Sequence, residues 1–245
     1  MFNRDKSEKL YLKTLKKGNA QKQYELARKF VESENRENFT RACALYEAAA
    51  NSGHKDAQFE LGFIYYDGTH CEYDWAKAEE LFEKAAENGA GQAYFYLGEI
   101  YFYGFYGSDK DEKKSAENYL KAYDFCNEEQ KAEVERKLGG YYYCLDDEEN
   151  ALHWARRCAK RGGGDALASY GAMLADFKRY DEAFGILTRA AELGEDYSVY
   201  ILGECYFYGR GVSKDLKKAE ELWQKAAQNG IEDAAEDLKK HFGKG

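Results

Sequence analysis

The side chains with the widest chemical reach in this 245-residue chain are four histidines (His54, His70, His153, His241) and six cysteines (Cys43, Cys71, Cys126, Cys144, Cys158, Cys205). Their spacing argues against a reactive centre. No histidine has another histidine or a cysteine three or four residues away, and no two cysteines form a CxxC pair, so neither a zinc site nor a disulfide ladder is written here. The thiols read as reduced and mostly buried, with Cys144 and Cys158 the one pair that facing helices could bring together. The densest donor cluster, His70 and Cys71 beside Glu72 and Asp74, reads as a solvated turn. Ser52-Gly53-His54-Lys55 fits the S-x-x-K spacing of an acylated serine. Such a serine needs a lysine poised by burial and further S-D-N and K-T-G type groups, and this match falls in a turn without them. Neither catalysis nor a cofactor or metal is expected.

The chemistry that remains is that of 22 tyrosines, 14 phenylalanines and three tryptophans, and the elements that position them repeat. The stretch from Ala57 to Gly89 recurs from Ser198 to Gly230: a small residue leads to Leu-Gly and a tyrosine (Leu61, Gly62, Tyr65; Leu202, Gly203, Tyr206), then a glycine turn, then a run ending Lys-Ala-Ala-x-x-Gly. Ala57, Leu61 and Tyr65 stand four residues apart, and Ala78, Leu81, Phe82 and Ala85 follow at i, i+3, i+4 and i+7. Each half is therefore an amphipathic helix, and each pair a hairpin. Gly62 and Ala85 are small where a leucine would ordinarily sit, which reads as close approach of the two backbones.

A lone hairpin leaves an apolar face wet, so hairpins of this period must stack into a solenoid. Taken in order, the chain divides into a capping helix within residues 1–19, about six hairpins over 20–230, and a further capping helix within 231–245. The register stretches between Gly98 and Gly139, where the acidic segment Asn127 to Glu135 predicts an extended helix or loop. The mixed charge runs Asp109 to Lys114 and Glu128 to Lys137 read as solvated faces with i,i+4 pairs. Asp74 before Lys77, and Asp215 before Lys218, read as helix caps.

The pattern Ala-x-x-x-Leu-Gly-x-x-Tyr, Gly-x-Gly-Val-x-x-Asp-x-x-Lys-Ala and Lys-Ala-Ala-x-x-Gly resembles the Sel-one-like repeat (SLR) family, a relative of the tetratricopeptide repeat. The likeness covers residues 20–241 and is strongest where Gly209, Gly211, Val212, Asp215, Lys218 and Ala219 fall in register. It weakens in the fourth and fifth units, which lack the Gly-x-Gly-Val turn. The resemblance implies an all-α, right-handed solenoid whose first helices line a concave groove used for adaptor work between proteins. Cysteine-rich members of the family are known for penicillin binding. They carry cysteines near positions held here by Ala86 and Ala93, so a β-lactam-binding or hydrolysing enzyme stands only as the alternative.

If the first helices line the groove, the candidate contacts are Phe59, Phe63 and Tyr66 in the second hairpin and Phe95, Glu99, Phe102 and Tyr103 in the third. Tyr143 follows in the fourth, and Tyr200, Glu204, Phe207 and Tyr208 in the sixth. Aromatic rings bury large area at low entropic cost, so this set suits a peptide or partner domain. So many tyrosines exceed what one groove needs, and some of these rings are expected to pack between hairpins instead. The net charge of −9 argues against nucleic acid or an anionic membrane as partner and in favour of a neutral or basic protein or peptide. Self-association through an end face is the rival within binding roles. No run of apolar residues is long enough for a signal peptide or a membrane span, which predicts a cytoplasmic protein.

Overall fold

A computed structural model describes residues 4–32, 36–68, 73–104 and 110–243, and its regular structure is entirely helical. The order is α1 (Arg4–Lys17), α2 (Ala20–Val31), α3 (Arg36–Asn51), α4 (Lys55–Asp67), α5 (Trp75–Glu87), α6 (Ala93–Tyr103) and α7 (Glu112–Ala122). A 3-10 turn, Tyr123–Phe125, leads to α8 (Glu128–Cys144), α9 (Glu148–Lys160), α10 (Gly164–Asp176) and α11 (Tyr180–Glu192). The series closes with α12 (Asp196–Tyr208), α13 (Leu216–Gln228) and α14 (Glu232–Phe242). The chain divides into two compact units, Met1–Gln130 and Lys131–Gly245.

Local sequence explains where the second helix begins in four of the hairpins. Asp74, Asp111, Asp147 and Asp215 precede α5, α7, α9 and α13, and each side chain accepts a hydrogen bond from the backbone N–H three residues on. This satisfies one of the amides a helix start leaves open, a contribution of about 1 kcal/mol per cap. At the other end of α12, Gly209 turns the chain in the left-handed region at φ 70°. Gly211 then lies so close to α11 that a Cβ there would stand 2.3 Å from the Tyr180 carbonyl oxygen.

Within each unit the hairpins bury their apolar stripes against one another. In the first, Ala27, Leu45, Ala49, Ala57 and Leu61 join α2, α3 and α4, and Ala78, Phe82, Ala93, Leu97 and Ile100 join α5 to α6. In the second, Leu152, Leu167, Leu174, Leu187, Leu202 and Cys205 form one core. Val199, Trp223, Ala226, Ala234 and Leu238 form another, by which α14 packs on α12 and α13.

The glycine of Leu-Gly has a different role from the one its size suggests. Instead of letting backbones touch, it seats a large side chain from the second helix. A Cβ on Gly62 would lie 3.0 Å from the Phe82 ring, one on Gly98 2.6 Å from Tyr119, one on Gly171 2.8 Å from Leu187 and one on Gly203 2.3 Å from Trp223. Phe82, Tyr119, Leu187 and Trp223 are all essentially inaccessible to solvent. Only in the α8/α9 hairpin does a backbone come near, with the Ala155 nitrogen 3.4 Å from a Cβ on Gly139.

That hairpin also corrects the reading of the charge run Glu128 to Lys137. The segment is helical throughout, but Glu135 is 1% exposed and Lys137 5%, so both are buried and not part of a solvated face. Glu135 accepts hydrogen bonds from Arg161 Nε at 2.6 Å and Arg157 Nε at 3.3 Å, an ion cluster that ties α8 to the end of α9, where backbone and not a ring faces Gly139.

Candidate functional site

The residues read as reactive in the sequence have structural duties. Ser52 donates to the Ala48 carbonyl at 3.0 Å, His54 accepts from the Ala57 N–H to cap α4, and Lys55 Nζ reaches the Gly89 carbonyl at 3.4 Å. The S-x-x-K match is thus occupied in turn and cap bonds. Cys144 is exposed, Cys158 is half-buried, and both are free thiols. His70, Cys71 and Glu72 lie outside the described residues. Among the described residues no group of three or more His, Cys, Asp or Glu could hold a metal ion, and no helix is long and apolar enough to cross a membrane.

The aromatic candidates divide. In the first unit Phe59, Phe63 and Tyr66 of α4 gather around Phe82 and Tyr96, with Phe63 and Tyr66 each 5.4 Å from the Tyr96 ring. Phe95 turns inward: it is buried, 6.1 Å from Tyr119, and belongs to the core and not to a groove wall. Glu99 accepts from the Tyr119 hydroxyl, Phe102 is half-buried beneath Lys110, and Tyr103 is exposed. A slot of about 260 Å³ opens beside Phe63, bordered by Phe39, Tyr46, Glu60 and Asp67. Burial pushes the Glu60 carboxyl up, with Arg28 opposing.

In the second unit the candidates form a face with its own chemistry. Tyr143 at the end of α8 is exposed, and its hydroxyl donates to Asp176 Oδ2 of α10 at 2.7 Å; that bond, followed by burial, pushes its pKa up to about 12. On α12, Tyr197, Tyr200 and Glu204 recur at i, i+3 and i+7 and so share one side of the helix. The Tyr200 hydroxyl donates to Asp237 of α14 at 3.2 Å. Burial raises the Glu204 carboxyl pKa; the charges of Asp237, Asp176 and Asp233 add to it, and Arg210 is the one cation opposing. Tyr197 is raised by burial and then by Asp233, Glu204 and Asp176. Helices α8, α10, α12 and α14 thus bring three tyrosines and four carboxylates together.

Phe207 and Tyr208 part company. Phe207 lies 5.1 Å from Trp223 and 4.6 Å from His241, so it packs α14 onto the last hairpin and is half-buried. Tyr208 is exposed, with the Arg210 guanidinium 4.5 Å above its ring. Sequence reasoning did not select Tyr197, Asp233 or Asp237. The signal for Tyr197 was its i, i+3, i+7 spacing with Tyr200 and Glu204. The two aspartates of α14 share a face at i, i+4, but nothing in the repeat pattern reaches past the sixth hairpin.

A carboxyl whose pKa is raised by folding opposes folding once it is charged. The stability it allows is fully present below its unfolded value and is lost as pH rises through the folded one. Glu204→Gln should therefore raise the melting temperature at pH 7, and the gain should vanish below about pH 4, where glutamate is protonated in both states. Thermal unfolding at the two pH values checks this, and an unchanged or lower value at pH 7 would contradict it.

Comparison with known proteins places these features in context. The sequence pattern of the Sel1 repeat matches residues 23–54, 55–89, 91–124, 168–195 and 197–231, leaving out the α8/α9 hairpin. A 51-residue stretch is 35% identical to the ERAD-associated E3 ubiquitin-protein ligase component HRD3B of Arabidopsis thaliana, spanning 21% of this chain but only 8% of the length of that relative. Among solved structures, the chain is similar to c5321, a protective antigen of uropathogenic Escherichia coli with an SLR fold (26% identity, TM-score 0.57, 94% of this chain and 50% of that one). It is also similar to a Sel1 repeat protein from Oxalobacter formigenes (25%, TM-score 0.57, 89% of both). The tetratricopeptide-repeat protein YrrB shares the fold at 20% identity and a TM-score of 0.62, over 79% of this chain and 97% of its own.

Proposed function

The chain belongs to the Sel1 repeat family, whose members generally mediate protein–protein interactions, and we propose that it holds a basic peptide segment of a partner protein on the tyrosine and carboxylate face of its second unit. One observation carries this reading: Asp176, Glu204, Asp233 and Asp237 crowd around Tyr143, Tyr197 and Tyr200, with Arg210 the one cation among the charges acting on Glu204. Crowding like charges at a half-buried site opposes folding, and a bound cation offsets that cost. Lysine and arginine side chains suit the rings as well as the acids, because a cation over a tyrosine face is attracted by the ring quadrupole. Exposed aromatics with a charged surround are also the groups that dominate binding energy at interfaces.

The protein then acts as a scaffold, binding without chemistry. The relative HRD3B is by name a component of a larger ligase, which agrees with such a role. The test is affinity capture from source-cell lysate with wild type beside Tyr143→Ala/Tyr197→Ala, two exposed positions whose loss leaves the cores intact. A partner held by wild type should be depleted at least about tenfold from the variant. Equal recovery from both would contradict the proposal.

A further inference from the structure

A cleft of different character lies in the same unit on the other side of α10. Leu167, Tyr170 and Leu174 recur at i, i+3 and i+7 and point away from Asp176, which stands two residues beyond Leu174 and so roughly opposite on the helix. Between them and helices α9 and α11 opens a cleft of about 670 Å³. This is within the range of roughly 300–1,000 Å³ typical of ligand sites. It exists because the chain turns from α9 into α10 through Gly162 and Gly163, which line the cleft and have no side chains to fill it. Its floor is apolar, with Leu167 and Leu174 buried and Ile186 of α11 beside them, and the exposed Leu193 just past α11 adds an apolar edge.

The rim has the opposite charge to the rest of the molecule. Arg156 and Lys160 stand at i and i+4 on α9, and Arg189 faces them from α11, against the single carboxylate Glu182. Arg156 Nε donates to the Tyr170 hydroxyl at 2.9 Å, and Glu182 is engaged by Arg179 as well as Arg156. Lys160 and Arg189 are exposed and have no acidic partner among the described residues. Three cations over an apolar trough, in a chain of net charge −9, form a local positive surface that long-range charge does not explain.

We propose that this cleft docks an acidic amphipathic peptide segment of a protein partner, its apolar side chains on the floor and its carboxylates against Lys160, Arg189 and Arg156. A free inorganic anion has no use for the apolar floor. An anionic bilayer cannot enter a concave cleft, and it would be repelled by the surrounding negative charge. A helix with leucines on one face and glutamates beside them satisfies both halves of the site.

The test uses the full chain and a short fluorescein-labelled peptide with leucines and glutamates at helical spacing, read by fluorescence anisotropy. A counterpart with lysine for every glutamate serves as comparison. Wild type should bind the acidic peptide and favour it over the basic one in the presence of excess unlabelled basic peptide. Lys160→Glu/Arg189→Glu should weaken binding at least about tenfold, and the milder Lys160→Gln/Arg189→Gln less so. Tyr143→Ala/Tyr197→Ala should leave it unchanged, which separates this site from the one proposed above. The inference is overturned if the acidic peptide does not bind, or if its affinity ignores both rim variants. It is equally overturned if the rim variants abolish only binding to phosphatidylserine vesicles, which would make the surface a membrane contact. A concentration-dependent dimer lost on the same substitutions would instead assign the cleft to a second copy of this chain.

Discussion

Trp223→Ala should cost roughly 3–5 kcal/mol, because it empties the best-filled position in the second unit. The ring is fully buried, its Nε1 donates to the Tyr200 carbonyl at 3.2 Å, and its Cδ1–Nε1 edge lies so close to Gly203 that no Cβ fits there. The same geometry predicts Gly203→Ala to be destabilising, by about 1–3 kcal/mol, since the ring must leave its seat. Alanine ordinarily stabilises a helix by about 1 kcal/mol over glycine, so the sign of that change is informative. Gly139→Ala is the control: its added carbon meets nothing closer than 3.4 Å, and it should be neutral or stabilising. Urea unfolding of the three variants decides the matter. In the double variant Gly203→Ala/Trp223→Ala the two costs should sum to less than their separate values, because the clash disappears with the ring. Additive costs would mean that ring and glycine do not share a seat.

Removing both arginines that serve Glu135 is the second large effect. Arg157→Ala/Arg161→Ala removes two guanidinium groups bonded to a carboxylate that is 1% exposed, and breaking a buried pair in this way costs about 3–5 kcal/mol. Glu135→Gln should cost less, since it leaves a neutral amide and the two guanidinium groups, 44% and 26% exposed, retain access to water. The penalty of the arginine variant should also shrink toward acid pH, where the Glu135 carboxyl can take up a proton. Denaturant unfolding at neutral pH, repeated near the acid limit of folding, reads both differences. Equal losses from the arginine pair and from Glu135→Gln would show that charge burial is not what holds α8 to α9.

The contrast between these two seams shows what was legible from the chain alone. Helix and hairpin boundaries follow from local spacing and from aspartates such as Asp74 and Asp215, whose capping partners lie three residues away. The ring-over-glycine seat was half legible: the small residue was visible, but its occupant sits on the other helix of the hairpin and sequence spacing does not name it. Glu135 was not legible at all, since its arginines are on the next helix and a mixed charge run ordinarily faces water. The binding face fared likewise. Offsets counted from Leu-Gly reached Tyr143, Tyr200 and Glu204, but they assumed that every first helix presents the same side. Phe95 was drawn into the core beside Tyr119, and Phe207 half-buried against α14, neighbours that the repeat period leaves out. Asp233 and Asp237 come from α14, beyond the last full repeat, and their charges add to those of Asp176 and Glu204.

The central claim, that this face recognises a basic segment, is tested most directly by selecting peptides from a random display library on wild-type protein. The selected sequences are then compared by fluorescence anisotropy on Asp176→Lys/Asp233→Lys, two exposed positions. The account predicts selected peptides enriched in lysine and arginine, an affinity that falls with added salt, and at least about a tenfold loss on charge reversal. Peptides without basic residues, or an affinity that charge reversal leaves unchanged, would contradict it.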